Sequence, residues 1–218
     1  MNDLIVLQPL SFDSLASFSK VIHGFTLRGS QGESSVVPAP NVLARYGYSE
    51  SILVQAEQPH GNRVEIVDQS HQGTMIAQAD GLVTSTYGII LVIRTADCGA
   101  LFLYDPEHQA IGLVHSGKKG TDANITQNAI SLMVRNYQTD PTKIVAVLGP
   151  CIRPPHYETN FPKTIAQQAR EAGIQHFTDC GDNTATNPEN YYSYRMEKGL
   201  TGRHYAFIGL ISEEVPAE

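Results

Sequence analysis

The 218-residue sequence has few cysteines, a shortage of basic side chains and no long apolar run. Its three cysteines are not closely paired, which excludes a disulfide framework and the ligand pairs of a compact zinc finger. The 15 basic side chains are outnumbered by 22 acidic ones, which argues against general binding of nucleic acid or of an anionic membrane. The longest clean apolar run, Ile89–Ile93, is too short to span a bilayer.

The first residues also lack the basic start and sustained apolar stretch of a secretory signal. We therefore expect a cytoplasmic, enzyme-like protein with neither nucleic acid nor membrane as a partner. A content of 41% hydrophobic and 17% charged residues is ordinary for a globular protein. At this length we expect one domain over residues 1–218.

Short runs rich in apolar and β-branched residues, bounded by Gly, Pro, Asn and Asp, predict many strands. The predicted strands cover residues 4–7, 20–25, 51–56, 63–67, 79–84, 89–93, 100–104, 110–114, 143–148 and 205–211. We predict helices over residues 41–48, 122–137 and 162–172, and irregular structure over residues 29–40 and 179–190. Because the strands and helices do not strictly alternate, the sequence predicts a mixed α/β fold.

The stretch Tyr87–Gly120 carries two reactive side chains, Cys98 and His115, where predicted strands begin or end. With His60 they offer two imidazoles and a thiol, which suits a catalytic zinc with its fourth position open to water or substrate. The same atoms suit a metal-free site in which Cys98 is the nucleophile, His115 or His60 the base and Asp97 the orienting acid. Spacing alone leaves both interpretations open.

The stretch Gly112–Lys118 matches the start of a phosphate-binding loop, but Lys119 stands where Ser or Thr should bind magnesium. We therefore reject a nucleoside triphosphate site. A Gly-rich turn with two lysines can still hold a smaller anion, or can simply be a solvated turn. Arg28 is a further candidate for anion binding, and Asp80 is either a site residue or a turn former.

Seven short motifs then occur in an order that identifies a family. They are His23-Gly24-Phe25-Thr26-x-Arg28, Gln58-x-His60-Gly61-Asn62-x-Val64, Ala79-Asp80-Gly81-Leu82-Val83-Thr84, Thr95-Ala96-Asp97-Cys98, His115-Ser116-Gly117-x-x-Gly120-Thr121, Gly149-Pro150-Cys151-Ile152 with Tyr157-Glu158, and Tyr192-Ser193-Tyr194-Arg195 with Thr201-Gly202-Arg203. The series resembles the laccase-domain family, long labelled multicopper polyphenol oxidases and now regarded as purine nucleoside phosphorylases. The match covers nearly the whole chain.

The resemblance implies an α/β sandwich similar to the catalytic domain of cytotoxic necrotizing factors, with zinc held by His60, Cys98 and His115. It implies phosphorolysis of adenosine, inosine, guanosine and methylthioadenosine by phosphate, and deamination of adenosine. It thus favours the metal site over a metal-free cysteine hydrolase. Copper-dependent oxidation ranks last, because multicopper oxidases need many more His ligands.

Specific roles follow as our own expectations. In deamination we expect Asp97 or Asp80 to carry the proton, beside the three metal ligands. In phosphorolysis we expect Arg28 to bind phosphate, because a guanidinium fork matches phosphate oxygens. Asp80 and Lys119 complete the expected substrate-binding set.

The chain departs from the family pattern directly after His115. Relatives commonly have the motif His-Ala-Gly-Trp-Arg-Gly here. In this chain Lys118 and Lys119 replace the Trp and the Arg of that motif, and the chain has no Trp at all. Pro59 replaces an aliphatic residue, and the loop over residues 29–40 is shorter than usual. The altered turn predicts a different pocket shape, so a zinc- or nucleoside-binding protein with weakened catalysis stays open as an alternative.

Overall fold

The computed structural model describes residues 8–28 and 39–212, which form two β-sheets with short and long helices around them. The strands of the described residues are β1 Val21–Phe25, β2 Leu53–Ala56, β3 Val64–Ile66, β4 Met75–Ile76, β5 Gly81–Thr84, β6 Ile90–Thr95, β7 Gly99–Asp105, β8 Ala110–Ser116, β9 Val145–Leu148, β10 His176–Asp179 and β11 His204–Leu210. The helices are α1 Asp13–Ala16, α2 Ala39–Leu43, α3 Lys118–Asp122, α4 Ile125–Tyr137 and α5 Phe161–Glu171.

One sheet has five strands in the order β1-β11-β6-β2-β4, and the other has six in the order β10-β9-β7-β8-β5-β3. Both sheets mix parallel and antiparallel neighbours. The long antiparallel pair β7 and β8 forms the middle of the six-stranded sheet, with Gly99 opposite Ser116 at its open end. Because the strand β6 enters β7 through the corner at residues 96–98, this open end lies where the two sheets meet.

The two sheets share a core, since apolar side chains of both belong to one buried cluster. Phe25 and Leu91 of the five-stranded sheet pack with Phe102 and Leu113 of the six-stranded sheet. The helices α4 and α5 cover the other face of the six-stranded sheet through a second buried cluster. The strands β7 and β8 are therefore buried on both faces, which explains why their sequences are continuous apolar runs rather than alternating ones.

The predicted mixed α/β class is confirmed, and most predicted strands are present with ends shifted by a few residues. The predicted helix over residues 122–137 is α4, which begins at Ile125 rather than at residue 122 because Asn124 before it adopts left-handed backbone angles. The predicted helix over residues 41–48 is α2 followed by a 3-10 turn that ends at Gly47.

Four short elements, α1, α3, β4 and β10, were not predicted. The strand β10 is an edge strand with mostly exposed polar residues, so it lacks the apolar run or alternation that marks a strand. The predicted strand at residues 4–7 and most of the predicted loop at residues 29–40 lie outside the described residues. The single domain over residues 1–218 and the likeness to cytotoxic necrotizing factors stay predictions. In the described part of the chain, no helix combines the length and apolar character needed to cross a membrane.

Candidate metal centre

His60, Cys98 and His115 lie together at the end of the sheets where β8 ends. Their ligand atoms all lie within 4.8 Å of one another, and among the described residues this is the group of His, Cys, Asp or Glu side chains that could hold a metal ion. Cys98 occupies the corner between β6 and β7, and His115 lies in β8 opposite Ala100. His60 comes from the turn after β2, and its ring meets that of His115 edge to face at 4.9 Å. The three predicted ligands are thus brought together.

The corners that carry these ligands adopt unusual backbone angles. Gln58, His60 and Asp97 have φ of 67°, 68° and 88°, in the left-handed region that non-glycine residues rarely adopt. Such angles cost about 1–3 kcal/mol each and persist only where surrounding contacts impose them. The Gln58 side chain supplies one such contact, since it donates to the Arg94 carbonyl at 2.7 Å and accepts from the Arg94 amide at 2.9 Å.

The Asp80 carboxylate forms hydrogen bonds with both candidate histidine ligands. Its Oδ1 lies 2.9 Å from His115 Nδ1 and 3.0 Å from the His60 backbone nitrogen, and its Oδ2 accepts from Gly61 N at 2.7 Å. Burial raises the pKa of this carboxyl, but the bonds from His115, Gly61 and His60 lower it below its ordinary value. Asp80 is therefore an acceptor and His115 Nδ1 donates to it, which leaves His115 Nε2 as the nitrogen that could bind a metal.

The thiol and the buried imidazole perturb each other strongly. Burial raises the pKa of Cys98, but hydrogen bonds and charge from His115 and His60 lower it to about 6. Burial lowers the pKa of His115, but Asp80 and Cys98 raise it to about 9. A thiolate is the form of cysteine that binds metals, so the site favours the ligand form of Cys98.

The glycines after His115 let the next turn lie directly against the thiol. A Cβ atom on Gly117 would stand 2.6 Å from Cys98 Sγ, which is closer than real Cβ contacts allow. This contact explains in physical terms why the turn begins with glycine. It also fixes Lys118 and Lys119, the first residues of α3, beside the metal ligands.

The three ligands face a cavity of about 810 Å³. Ile152, Tyr157 and Phe161 give this cavity an apolar and aromatic wall, and the Tyr157 and Phe161 rings pack edge to face at 5.6 Å. Cationic side chains line the remaining wall; they are Arg94, Arg195, Arg203, Lys118 and Lys119. A positive cavity in a protein of net charge -7 concentrates an anionic ligand there.

The five cations differ in how strongly they are already engaged. Lys118 pairs with Asp122 at 2.7 Å, and Arg195 pairs with Glu158 at 2.7 Å while lying over the Tyr157 ring. Within the described ranges, the remaining three, Arg94, Arg203 and Lys119, have no carboxylate partner.

Arg94 and Arg203 both line the cavity beside the start of β11. Arg94 is opposite Tyr205 in the β6–β11 pairing, and Arg203 precedes β11 by one residue. Both guanidinium groups act on the Tyr205 phenol, where burial is the first cause of a raised pKa and the two arginines lower it. Each guanidinium also donates to backbone carbonyls, at 3.3 Å for Arg94 and at 3.1 and 2.9 Å for Arg203, and both line the cavity as candidates for binding an anion.

Of the other predicted site residues, Asp97 and Lys119 line the cavity, while Arg28 and Asp80 are not among its described lining residues. Arg28 is not among the described residues lining the cavity: its guanidinium forms a bidentate pair with Glu197, at 3.1 and 3.0 Å. Asp80 lies beneath His115 rather than facing the cavity. Asp97 lines the cavity, but its oxygens accept from Thr184 Oγ1 and Arg195 N, both at 2.7 Å. Lys119 lines the cavity, and its role in substrate binding stays a prediction.

Sequence reasoning missed Arg94 and gave no role to Arg203. The signal for Arg94 was present, because it is the single charged residue in the otherwise apolar strand Ile90–Thr95. Arg94 is the exposed residue of this otherwise buried strand, so the charge marks the point where the strand meets the cavity.

The sequence matches the family model described as multi-copper polyphenol oxidoreductase laccase over residues 33–161 and 158–211. The chain belongs to this laccase family. The predicted resemblance is therefore confirmed.

Members of the laccase family that resemble this chain include proteins named purine nucleoside phosphorylase. The one from Deinococcus radiodurans is 34% identical over 199 residues, covering 79% of this chain and 76% of the relative. Purine nucleoside phosphorylase YlmD from Bacillus subtilis is 29% identical over 195 residues, covering 72% and 70%.

Two solved structures share the fold of this laccase-family chain. YlmD from Geobacillus stearothermophilus has a TM-score of 0.83 at 20% identity, covering 92% of this chain and 94% of that one. The hypothetical protein YfiH from Bacillus licheniformis has a TM-score of 0.79 at 22% identity, covering 87% and 92%.

Proposed function

We propose that this protein is a zinc-dependent purine nucleoside phosphorylase acting on adenosine, inosine, guanosine and methylthioadenosine. The observation that carries the proposal is the opening of the His60, Cys98 and His115 group onto a cavity with both an aromatic wall and a cluster of arginines. Such a cavity suits a planar base together with phosphate. The naming of relatives as purine nucleoside phosphorylases supports the same reaction class.

The donor set fits zinc. Two imidazoles and one thiolate are typical zinc ligands, and three protein ligands leave a position open as in catalytic sites. Asp80 orients His115 through a hydrogen bond to the ring nitrogen that does not face the metal, as carboxylates commonly do for metal-binding histidines. Bound there, zinc would supply Lewis-acid stabilisation of negative charge at the reacting centre. The described residues offer one group of three ligands, which is too few for a multicopper centre.

We assign the base to the wall formed by Ile152, Tyr157 and Phe161. Apolar and aromatic side chains bury a purine ring and exclude water from it. Arg195 lies over the Tyr157 ring with its guanidinium carbon 4.8 Å from the ring centroid, which holds the aromatic side chain in place.

We assign phosphate to Arg94 and Arg203, whose guanidinium groups lack carboxylate partners among the residues described. In phosphorolysis a phosphate oxygen attacks ribose C1′, the bond from C1′ to the purine nitrogen breaks, and the base leaves with a proton. Two guanidinium groups hold the nucleophile in position and screen its charge from the substrate. This assignment replaces Arg28, which Glu197 already engages.

Adenosine deamination is the weaker part of the proposal. It requires an acid that can give and take a proton at the base. Of the described residues lining the cavity, Asp97 is the one carboxylate, and both its oxygens accept hydrogen bonds. Asp80 is committed to His115, His60 and Gly61. We therefore expect phosphorolysis to exceed deamination.

The proposal is tested by metal analysis and product assays on wild type, Cys98→Ala and the control Cys180→Ala. Adenosine and inosine are incubated with and without phosphate, and free base and ammonia are measured. We expect stoichiometric zinc and phosphate-dependent base release in wild type and control, and loss of both in Cys98→Ala. If zinc-loaded protein released neither free base nor ammonia, the proposed activity would be wrong and the alternative of a zinc- or nucleoside-binding protein would be favoured. Metal-free protein inactivated by iodoacetamide at Cys98 would favour the cysteine hydrolase.

A further inference from the structure

An irregular segment, residues 191–203, supplies much of the cavity's cationic wall. Tyr194, Arg195 and Arg203 of this segment line the cavity, yet the segment contains no helix or strand. Tyr194 and Arg195 are exposed. Backbone hydrogen bonds such as Glu197 N to Ser193 O at 2.9 Å form turns within the segment, but they join it to no helix or sheet, so side-chain contacts are needed to hold it against the rest of the protein.

The Glu197 carboxylate closes this segment on itself. Its Oε1 accepts from the Ser193 backbone nitrogen at 3.0 Å and from Thr201 Oγ1 at 2.8 Å. One oxygen therefore ties the two ends of the loop that carries Tyr194 and Arg195. Burial raises the pKa of Glu197, but its bonds with Ser193, Thr201 and Arg28 keep it below its ordinary value.

Arg28 joins this closed loop to the five-stranded sheet. It lies three residues after the end of β1. Besides its bidentate pair with Glu197, it donates to the Tyr191 carbonyl at 3.4 Å and lies 4.8 Å from the Tyr192 ring centroid. Its backbone nitrogen also donates to the Asn190 carbonyl at 2.8 Å. The pair is largely withdrawn from water, with side-chain exposures of 19% and 24%.

We propose that Arg28 and Glu197 are positioning residues that fix the 191–203 segment and thereby set the geometry of the anion site. The inference rests on the proposed function only for its catalytic consequence. A bidentate guanidinium–carboxylate pair adds geometric definition as well as energy, so it suits this task better than a single contact. Neither side chain contacts the substrate; both act on the anion site through Arg203, and on the aromatic wall through Arg195, which lies over the Tyr157 ring.

The test compares Arg28→Gln, Glu197→Gln and the double variant with Arg63→Gln, which removes an exposed arginine paired with Glu65. Amide hydrogen exchange is followed for peptides from residues 191–203 and from β8. We expect faster exchange in the 191–203 peptides of the first three variants and unchanged exchange in β8 and in the control. The zinc content should not change.

The kinetic readout is the KM for phosphate, which we expect to rise about tenfold with a smaller change in kcat, since displaced side chains lose precise orientation. The double variant should be no worse than either single one, because all three remove the same contact. Arg28→Lys keeps the charge without the fork and should be intermediate, which also covers the case in which Arg28→Gln fails to fold.

Unchanged exchange and unchanged phosphate KM in Arg28→Gln and Glu197→Gln would overturn the inference and leave the proposed function standing. If wild-type protein released no base, the proposed function would fail instead. The exchange comparison would still decide whether the pair fixes the segment.

Discussion

Asp80 lies beneath His115 with 2.9 Å between the carboxylate Oδ1 and the imidazole Nδ1, and the same oxygen accepts the backbone amide of His60 at 3.0 Å. A single buried carboxylate thus orients both histidines of the candidate metal centre. Asp80 comes from the chain just before β5, while its partners come from β8 and the turn after β2.

Asp80→Asn should weaken zinc binding by about 10- to 100-fold, because an amide bonds His115 less strongly and one of the backbone donors loses its charged acceptor. Competition with a chromogenic chelator measures the change in Kd. Glu65→Gln removes a half-buried carboxylate that pairs with Arg63 rather than with a candidate ligand, and this variant should bind zinc like wild type. Equal zinc affinity in Asp80→Asn and Glu65→Gln would show that Asp80 does not orient the site.

Gly117→Ala should displace the turn or the thiol, because the added Cβ would stand 2.6 Å from Cys98 Sγ. We expect a loss of about 1–3 kcal/mol in the free energy of unfolding, as for other overpacked sites, together with weaker zinc binding. Urea denaturation and zinc titration measure both. Gly149→Ala is the matched control, since its Cβ would meet nothing closer than 3.5 Å. Similar values for the two variants would contradict the steric account.

Arg203→Gln should raise the KM for phosphate by about tenfold while leaving the zinc content unchanged, because one of two guanidinium groups at the anion site is removed. Initial rates at varied phosphate and fixed inosine measure the effect. Arg63→Gln again serves as a control for the loss of positive charge. A KM for phosphate that does not respond to Arg203→Gln would place the phosphate elsewhere in the cavity.

His204 should make the protein less stable in mild acid. Its Nε2 accepts the Tyr192 amide at 2.7 Å and its Nδ1 donates to the Thr26 carbonyl at 2.6 Å, so the folded state holds the neutral ring. Burial lowers the pKa of His204 from 6.5 to about 4. The unfolded chain therefore binds the proton more strongly, and stability falls as the pH drops from about 6.5 towards 4, by up to about 3 kcal/mol.

Urea denaturation of chelator-treated protein between pH 7.5 and pH 4.5 measures this loss without a contribution from metal release. His204→Gln, whose amide can donate and accept but does not titrate, should show a shallower decline than wild type. His176→Gln changes an exposed histidine and should follow wild type. Parallel curves for wild type and His204→Gln would mean that His204 does not titrate between the folded and unfolded states.

The sequence was sufficient for the fold class and for the grouping of His60, Cys98 and His115, but not for the contacts of the residues around them. Apolar runs such as β7 and β8 are local signals, because strands buried on both faces carry them in one continuous stretch. The grouping of His60, Cys98 and His115 came from motif resemblance, since the ligands lie in different strands and turns and only the folded chain unites them.

Arg28 and Asp97 illustrate what sequence could not provide. Each was expected to meet the substrate because its residue type suits anion binding or proton transfer. In the structure, Glu197 engages Arg28, and the hydroxyl of Thr184 and the amide of Arg195 engage Asp97. These partners are distant in sequence, so no local sequence pattern predicts them. Arg94 and Arg203 are also distant in sequence. They line the same cavity because the β6–β11 pairing places Arg94 opposite Tyr205, two residues after Arg203.

The most direct test of the account is the rate of hypoxanthine release from inosine by chelator-treated protein before and after zinc is added back, at several phosphate concentrations. The account predicts negligible release without zinc, recovery with zinc, and a rate that rises with phosphate while ribose 1-phosphate accumulates in equal amount. Release that is independent of zinc, or that proceeds equally well without phosphate, would contradict it.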